Sequence, residues 1–159
     1  MRIGEIALLG PERENQYKFI RAACQQIEMQ SSPLLFGRIF INKELVLHLY
    51  GLCVPENELN MSWDVIAKKL LGYIVLFNWE NLKSYERVKS TVDFLTRRYD
   101  MPLLIAANVS EEMLNLPMDI INQNIDLAPQ CDFTFFNVEN PKSVKQVLIK
   151  LLDSVIERV

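Results

Sequence analysis

The chain alternates short apolar runs with amphipathic segments, and the alternation is broken at one place by two apolar runs in direct succession. The strand-like runs are Arg2 to Leu9, Leu35 to Ile41, Glu44 to Tyr50, Tyr73 to Asn78, Leu103 to Ala107 and Asp132 to Phe136. Helix-like segments cover Gln16 to Met29, Ser62 to Leu71, Leu82 to Tyr99 and Met118 to Asn124, and a last one opens at Pro141. Spacings of three and four put Tyr85, Val88, Val92, Leu95 and Tyr99 on one face, and Val144, Val147, Leu148, Leu151, Leu152 and Val155 on another. Proline suits a first helical position, and Gly72 reads as the cap of the helix before it. Only Asn42-Lys43 separates the second and third runs. That gap is too short for a crossover, so the pair is an antiparallel hairpin. Everywhere else the alternation calls for parallel strands with helices on both faces. The expected fold is a three-layer α/β domain over residues 1–159, with a six-stranded, mainly parallel sheet and one antiparallel edge strand.

Composition narrows the function classes. The chain has 159 residues, half of them hydrophobic and 23% charged, with a net charge of -3. A domain of this length buries roughly 70% of its unfolded surface and needs no staple to fold. The acidic balance argues against nucleic-acid binding, which calls for a basic stripe. Cys24, Cys53 and Cys131 form no C-x-x-C and read as reduced cysteines of a cytoplasmic protein. No apolar run approaches the ~20 residues of a membrane helix, and a strand at Arg2 leaves no room for a signal peptide.

The first run ends in Leu8-Leu9-Gly10 and is followed by a helix carrying Phe19, Ile20, Ala23 and Ile27. A strand, a glycine and a helix form the setting of the phosphate-binding pattern G-x-x-x-x-G-K-[ST]. Counted from Gly10, the positions for Gly, Lys and Ser/Thr hold Asn15, Gln16 and Tyr17. Gln16 brings no charge to the phosphates, and Tyr17 is a poor magnesium ligand. Asn15 tolerates the left-handed backbone of the missing glycine but adds a side chain. Glu12 and Glu14 add repulsion of several kcal/mol against a phosphate about 4 Å away at an effective dielectric near 20. Arg13 offsets part of that, and Lys18 falls too late on the helix to reach inward.

Further residues sharpen the comparison. Leu47-His48-Leu49-Tyr50-Gly51 closes the third run, Met61, Trp63 and Asp64 follow, and then Leu71-Gly72-Tyr73-Ile74-Val75-Leu76. With the element order, these phrases resemble the Ras-like small GTPases. Within that fold they resemble the bacterial group of the gliding-polarity and conservon GTPases, whose single antiparallel strand is the second. The resemblance spans nearly the whole chain in element order and only part of it in motifs. It implies a P-loop GTPase-like fold with degenerate nucleotide motifs. Gly51 stands at the D-x-x-G glycine, with His48 in place of its Asp. The plainer reading of His48, the only histidine, is a strand residue with satisfied hydrogen bonds. No other histidine and no cysteine stands at metal-ligand spacing from it, so no metal site is expected. The water-orienting glutamine has no counterpart in Leu52-Cys53-Val54-Pro55-Glu56-Asn57-Glu58. At the guanine-reading N-K-x-D, Asn108 matches, Val109 replaces the lysine and Glu111 replaces the Asp. Asn137-Val138-Glu139 does not match the last base-contacting turn.

Losses at the phosphate loop, magnesium site, water and most of the base site imply a pseudo-GTPase with no catalytic residue and no cofactor. Its surface would bind a protein partner. Phe36 on the edge strand, with Leu52, Val54, Met61 and Trp63, are the candidate contacts. The resemblance suggests a Roadblock-type protein or a related GTPase as partner. The alternative reading is a weak GTP/GDP binder with little or no hydrolysis, using Asn108 and Glu111 for the base. Receiver and flavodoxin folds fit less well, because Leu8-Leu9-Gly10-Pro11 offers neither clustered acids nor a hydroxyl-rich loop.

Overall fold

The computed structural model describes residues 2–24, 26–29, 35–53, 69–98, 100–115 and 131–157. In chain order its elements are β1 (Arg2–Gly10), α1 (Arg13–Ala23), β2 (Gln26–Met29), β3 (Leu35–Phe40), β4 (Leu45–Cys53), β5 (Leu70–Asn78), α2 (Leu82–Arg98), β6 (Leu103–Asn108), β7 (Cys131–Phe136) and α3 (Pro141–Glu157). A short 3-10 turn covers Glu111–Asn115.

The strands form one sheet in the order β2-β3-β4-β1-β5-β6-β7. β1 lies between β4 and β5, parallel to both, and β5, β6 and β7 continue in parallel. β3 alone points opposite to the other strands, antiparallel to β2 on one side and β4 on the other. The hairpin between β3 and β4 is set by Asn42, whose Oδ1 accepts from the backbone N–H of Glu44 (2.7 Å) and Leu45 (2.9 Å). A side chain that mimics a backbone turn in this way is the usual reason for asparagine at such a bend. The connection takes in Ile41 and Glu44 as well as the expected Asn42-Lys43.

The six expected strands are present, and a seventh joins them. The first helix was expected to run to Met29, but it stops at Ala23, and Cys24 is already extended (φ -103°, ψ 142°). Gln-Ile-Glu-Met at 26–29 alternates polar and apolar, a period of two that suits a strand. It pairs antiparallel with β3, Ile27 opposite Gly37. The antiparallel strand is therefore internal, and β2 forms the edge, which corrects the expected antiparallel edge strand. Gly37 lets the end of α1 settle on β3: a Cβ there would stand 2.5 Å from Cys24 Sγ and 2.6 Å from Ile20 Cγ2.

Gly72 caps no helix. β5 begins at Leu70, and its register against β1 shifts between Glu5 and Ile6. Gly72 is needed for close approach, because a Cβ would lie 2.8 Å from the Pro102 carbonyl oxygen and 3.1 Å from Leu151 Cδ1. Leu70 and Leu71, the last two residues expected in the helix over 62–71, belong to β5; 62–68, like the segment near Met118 to Asn124 expected as a helix, lie outside the described residues.

Alternate residues of the central strands feed two cores. Ile6, Leu8, Leu47, Leu49, Ile74, Leu76, Leu104 and Ala106 pack under α1 and α3 with Phe19, Ile20, Val144, Val147 and Leu151. Ala7, Leu9, Tyr73, Val75, Phe77, Ile105 and Phe133 pack under α2 with Val92 and Leu95. Phe19 meets Phe136 edge to face, centroids 5.8 Å apart. The result is a three-layer α/β arrangement. α3 starts where expected, with Asn140 Oδ1 accepting from the N–H of Lys142 (3.0 Å) and Ser143 (3.4 Å) as the N-cap ahead of Pro141. No helix among the described residues is long and apolar enough to cross a membrane.

Candidate functional site

Ligands of open α/β sheets bind beyond the carboxyl ends of the parallel strands. Here that edge holds a cleft of about 510 Å³, lined by Glu12, Glu14, Asn15 and Lys18 from the β1–α1 side, Asn78, Glu80 and Asn81 after β5, Asn108, Val109 and Ser110 after β6, and Asn137, Val138 and Glu139 after β7.

The connection from β1 to α1 consists of Pro11 and Glu12 alone, since β1 includes Gly10 and α1 begins at Arg13. Glu12 at the helix start is extended, and its side chain makes no capping bond. Its carboxylate accepts from Asn78 Nδ2 and from Asn15 Nδ2, the latter at 3.4 Å. Among the described residues none has a positive φ, glycines included. Gly10 is buried, and its need for glycine has nothing to do with turning: a Cβ there would run into the Leu76 carbonyl oxygen.

The three substituted positions have structural uses. Gln16 is 0% exposed. Its Nε2 donates to the Gly10 carbonyl oxygen at 3.1 Å, so the side chain folds back under the strand end. Asn15, also buried, donates to Asn78 Oδ1 at 2.8 Å. Tyr17 packs partly buried against the core beneath α1 and α3. Gly51 is buried in β4, opposite Leu8 and Leu35.

Asn108 ends β6 directly across from Asn78. Its Nδ2 donates to Asn78 Oδ1 at 3.0 Å, and its Oδ1 accepts from the Val138 N–H at 2.9 Å. Both ends of the amide are thus engaged within the protein. Val109, which the resemblance would set against a stacking lysine, is buried. Glu111 is exposed on the 3-10 turn and does not line the cleft, so Asn108 and Glu111 are not brought together there.

Three asparagines tie the cleft floor together, and of these sequence reading took only Asn108 as a site residue. β5 and β6 end in Asn78 and Asn108, and Asn137 follows β7. Asn137 Nδ2 donates to the Val109 carbonyl at 2.7 Å, and its Oδ1 accepts from the Glu139 N–H at 2.8 Å. The signal was an asparagine at the close of three successive parallel strands.

The cleft carries four carboxylates, Glu12, Glu14, Glu80 and Glu139, against Lys18. Lys18 does stand at the cleft, paired with Glu139 at 2.9 Å and Glu14 at 3.5 Å. The hydrogen bond and charge of Glu139 raise its pKa above the ordinary lysine value. No group of His, Cys, Asp and Glu among the described residues has a metal-binding arrangement.

Of the candidate partner contacts, Phe36 sits in β3 with its ring 4.9 Å from His48 and 5.2 Å from Tyr50, beneath the Arg38 guanidinium at 5.2 Å. β3 is covered by β2, so Phe36 does not belong to an open edge. Leu52 pairs with Leu9 at the end of β4. Val54, Met61 and Trp63 lie outside the described residues. The chain matches no protein-family model, and no curated protein matches it significantly.

Proposed function

We propose that the chain is a small-GTPase-like domain without nucleotide chemistry, a pseudo-GTPase that serves as a protein-interaction scaffold. One observation carries this reading: a two-residue connection stands where a phosphate loop needs four residues between its glycines. A phosphate cradle is a nest of successive N–H groups built by alternating right- and left-handed backbone. Arg13 and Glu14 are already helical, and no described residue is left-handed. Gln16, at the position that the pattern gives to lysine, is instead bonded to the Gly10 carbonyl oxygen. The acid-lined cleft adds charge repulsion, about 4 kcal/mol for a charge pair at 4 Å and an effective dielectric of 20. The Ras-like part of the reading rests on element order and on β3, the second of the expected strands, as the one running opposite to the rest. Flavodoxin-like sheets, ordered 2-1-3-4-5, differ.

The scaffold reading is tested by measuring affinity for a Roadblock-type protein and for a related GTPase, with and without GTP and magnesium. It predicts binding to one of them that GTP does not change. Affinity that depends on GTP, or no binding to either, overturns it. The cleft lies within the usual 300–1,000 Å³ of small-molecule sites, which is the observation favouring the alternative of weak GTP/GDP binding.

A further inference from the structure

The C-terminal helix α3 has a second apolar stripe. Val144, Val147, Leu148 and Leu151 are buried against the sheet. Ile149 and Ile156, two turns apart on another face, are 49% and 68% exposed. Leu152 lies between them, half-buried at the edge of the core. Spacing of three and four along 149, 152 and 156 is that of a helix-docking seam.

The charges around this seam are arranged against the helix dipole. Lys142 and Lys145 occupy the N-terminal half, and Asp153 and Glu157 the C-terminal half, all exposed. The first turn has no acid and the last described turn no base. A macrodipole favours the reverse distribution. An antiparallel neighbour of the same sequence relieves the conflict. About a two-fold axis at Ile149, residues equally far before and after 149 face each other. Ile149 meets its own copy, Lys145 meets Asp153 of the second copy, Gln146 comes beside its Leu152, and the stem of Lys142 lies along its Ile156 with the ammonium beside Glu157. The on-axis Ile149 contact occurs once and each off-axis contact twice, as a two-fold interface requires.

We propose that α3 is a homodimer interface in which two copies pack antiparallel about Ile149. One helix pair falls at the small end of stable interfaces, so the dimer is weak and concentration-dependent.

Sedimentation of the full chain over a concentration series tests this. The chain shows a reversible monomer–dimer equilibrium. I149E abolishes it, and so does K145E, which places like charges across the axis at both ends. K145E/D153K restores it, because the swapped pair still matches. I149C cross-links to itself under mild oxidation, whereas the unsubstituted chain under the same conditions does not. Circular dichroism confirms that each variant is folded, as expected for exposed positions. A chain that stays monomeric to its solubility limit overturns the proposal. So does a dimer indifferent to K145E, or one that I149C fails to cross-link. None of these outcomes bears on nucleotide binding.

Discussion

Gln16 Nε2 donates to the carbonyl oxygen of Gly10 across 3.1 Å, closing the strand end onto the helix that follows it. In this position a side chain holds the backbone where a phosphate loop would open. Gln16→Ala leaves the buried Gly10 carbonyl without that donor, at a cost of about 1–3 kcal/mol. Urea unfolding with an unchanged m-value measures it.

Restoring the motif residues does not restore the motif. In Gln16→Lys/Tyr17→Ser the new ammonium enters a site that is 0% exposed. Unpaired buried charge is costly, so the variant is less stable than the parent. It still gains no affinity for magnesium GTP in a calorimetric titration, because the backbone turn is absent. Tight binding by this variant would contradict the proposal that the two-residue connection keeps a triphosphate out.

The cleft floor is a coupled unit. Asn78 links Glu12, Asn15 and Asn108 through three hydrogen bonds. Asn78→Ala takes away the Oδ1 that accepts from Asn15 and Asn108 and costs about 1–3 kcal/mol. The double-mutant cycle with Asn108→Ala is non-additive by about 0.5–3 kcal/mol, as for residues in one network. Additive losses would mean that the two amides act independently.

Burial pushes the Cys24 thiol up to about 12 and raises that of Cys131. Attack on an alkylating agent needs the thiolate. At pH 8, Cys24 alkylates far more slowly than a free thiol, and its rate climbs with pH until about 12. Peptide mapping after timed iodoacetamide treatment reads the site directly. On the stability side, a thiol whose folded pKa is raised binds its proton more tightly in the folded state. The resulting stabilisation is lost as pH rises above the ordinary thiol value.

Gly37→Ala drives a Cβ into Cys24 Sγ and Ile20 Cγ2. Overpacking of this kind costs about 1–3 kcal/mol. Removing the sulfur contact with Cys24→Ala recovers part of the loss, measurable as a rise in Tm over the single variant.

The sheet and its helices were readable because their signals are local and repeated. The Ile6–Leu9 part of β1, and most of β5 and β6, are continuous apolar runs, as befits strands buried on both faces. α2 and α3 carry strong periodic stripes, and Pro141 marks its own boundary. β2 escaped because Ile27 extends the helical spacing of Phe19, Ile20 and Ala23, and only its pairing with β3 decides between the two periods. Gly72 escaped because a glycine after an apolar run reads equally as a helix cap or as a site of close approach. At the cleft, the absence of Lys and Ser/Thr was visible in Gln16 and Tyr17. The early start of α1 was not, since the length of a turn depends on where Gln16 and Asn15 find partners. Those partners, Gly10 and Asn78, are set by the fold and not by neighbouring sequence.

The account turns on whether the strand end at Gly10 can accept a triphosphate. Thermal unfolding of the chain with millimolar GTP, GDP or ATP, each with magnesium, measures this most directly. The account predicts no shift in Tm with any of them. A ligand present at a hundred times its dissociation constant adds about 2.7 kcal/mol, and a magnesium-dependent rise of that order with GTP would contradict it.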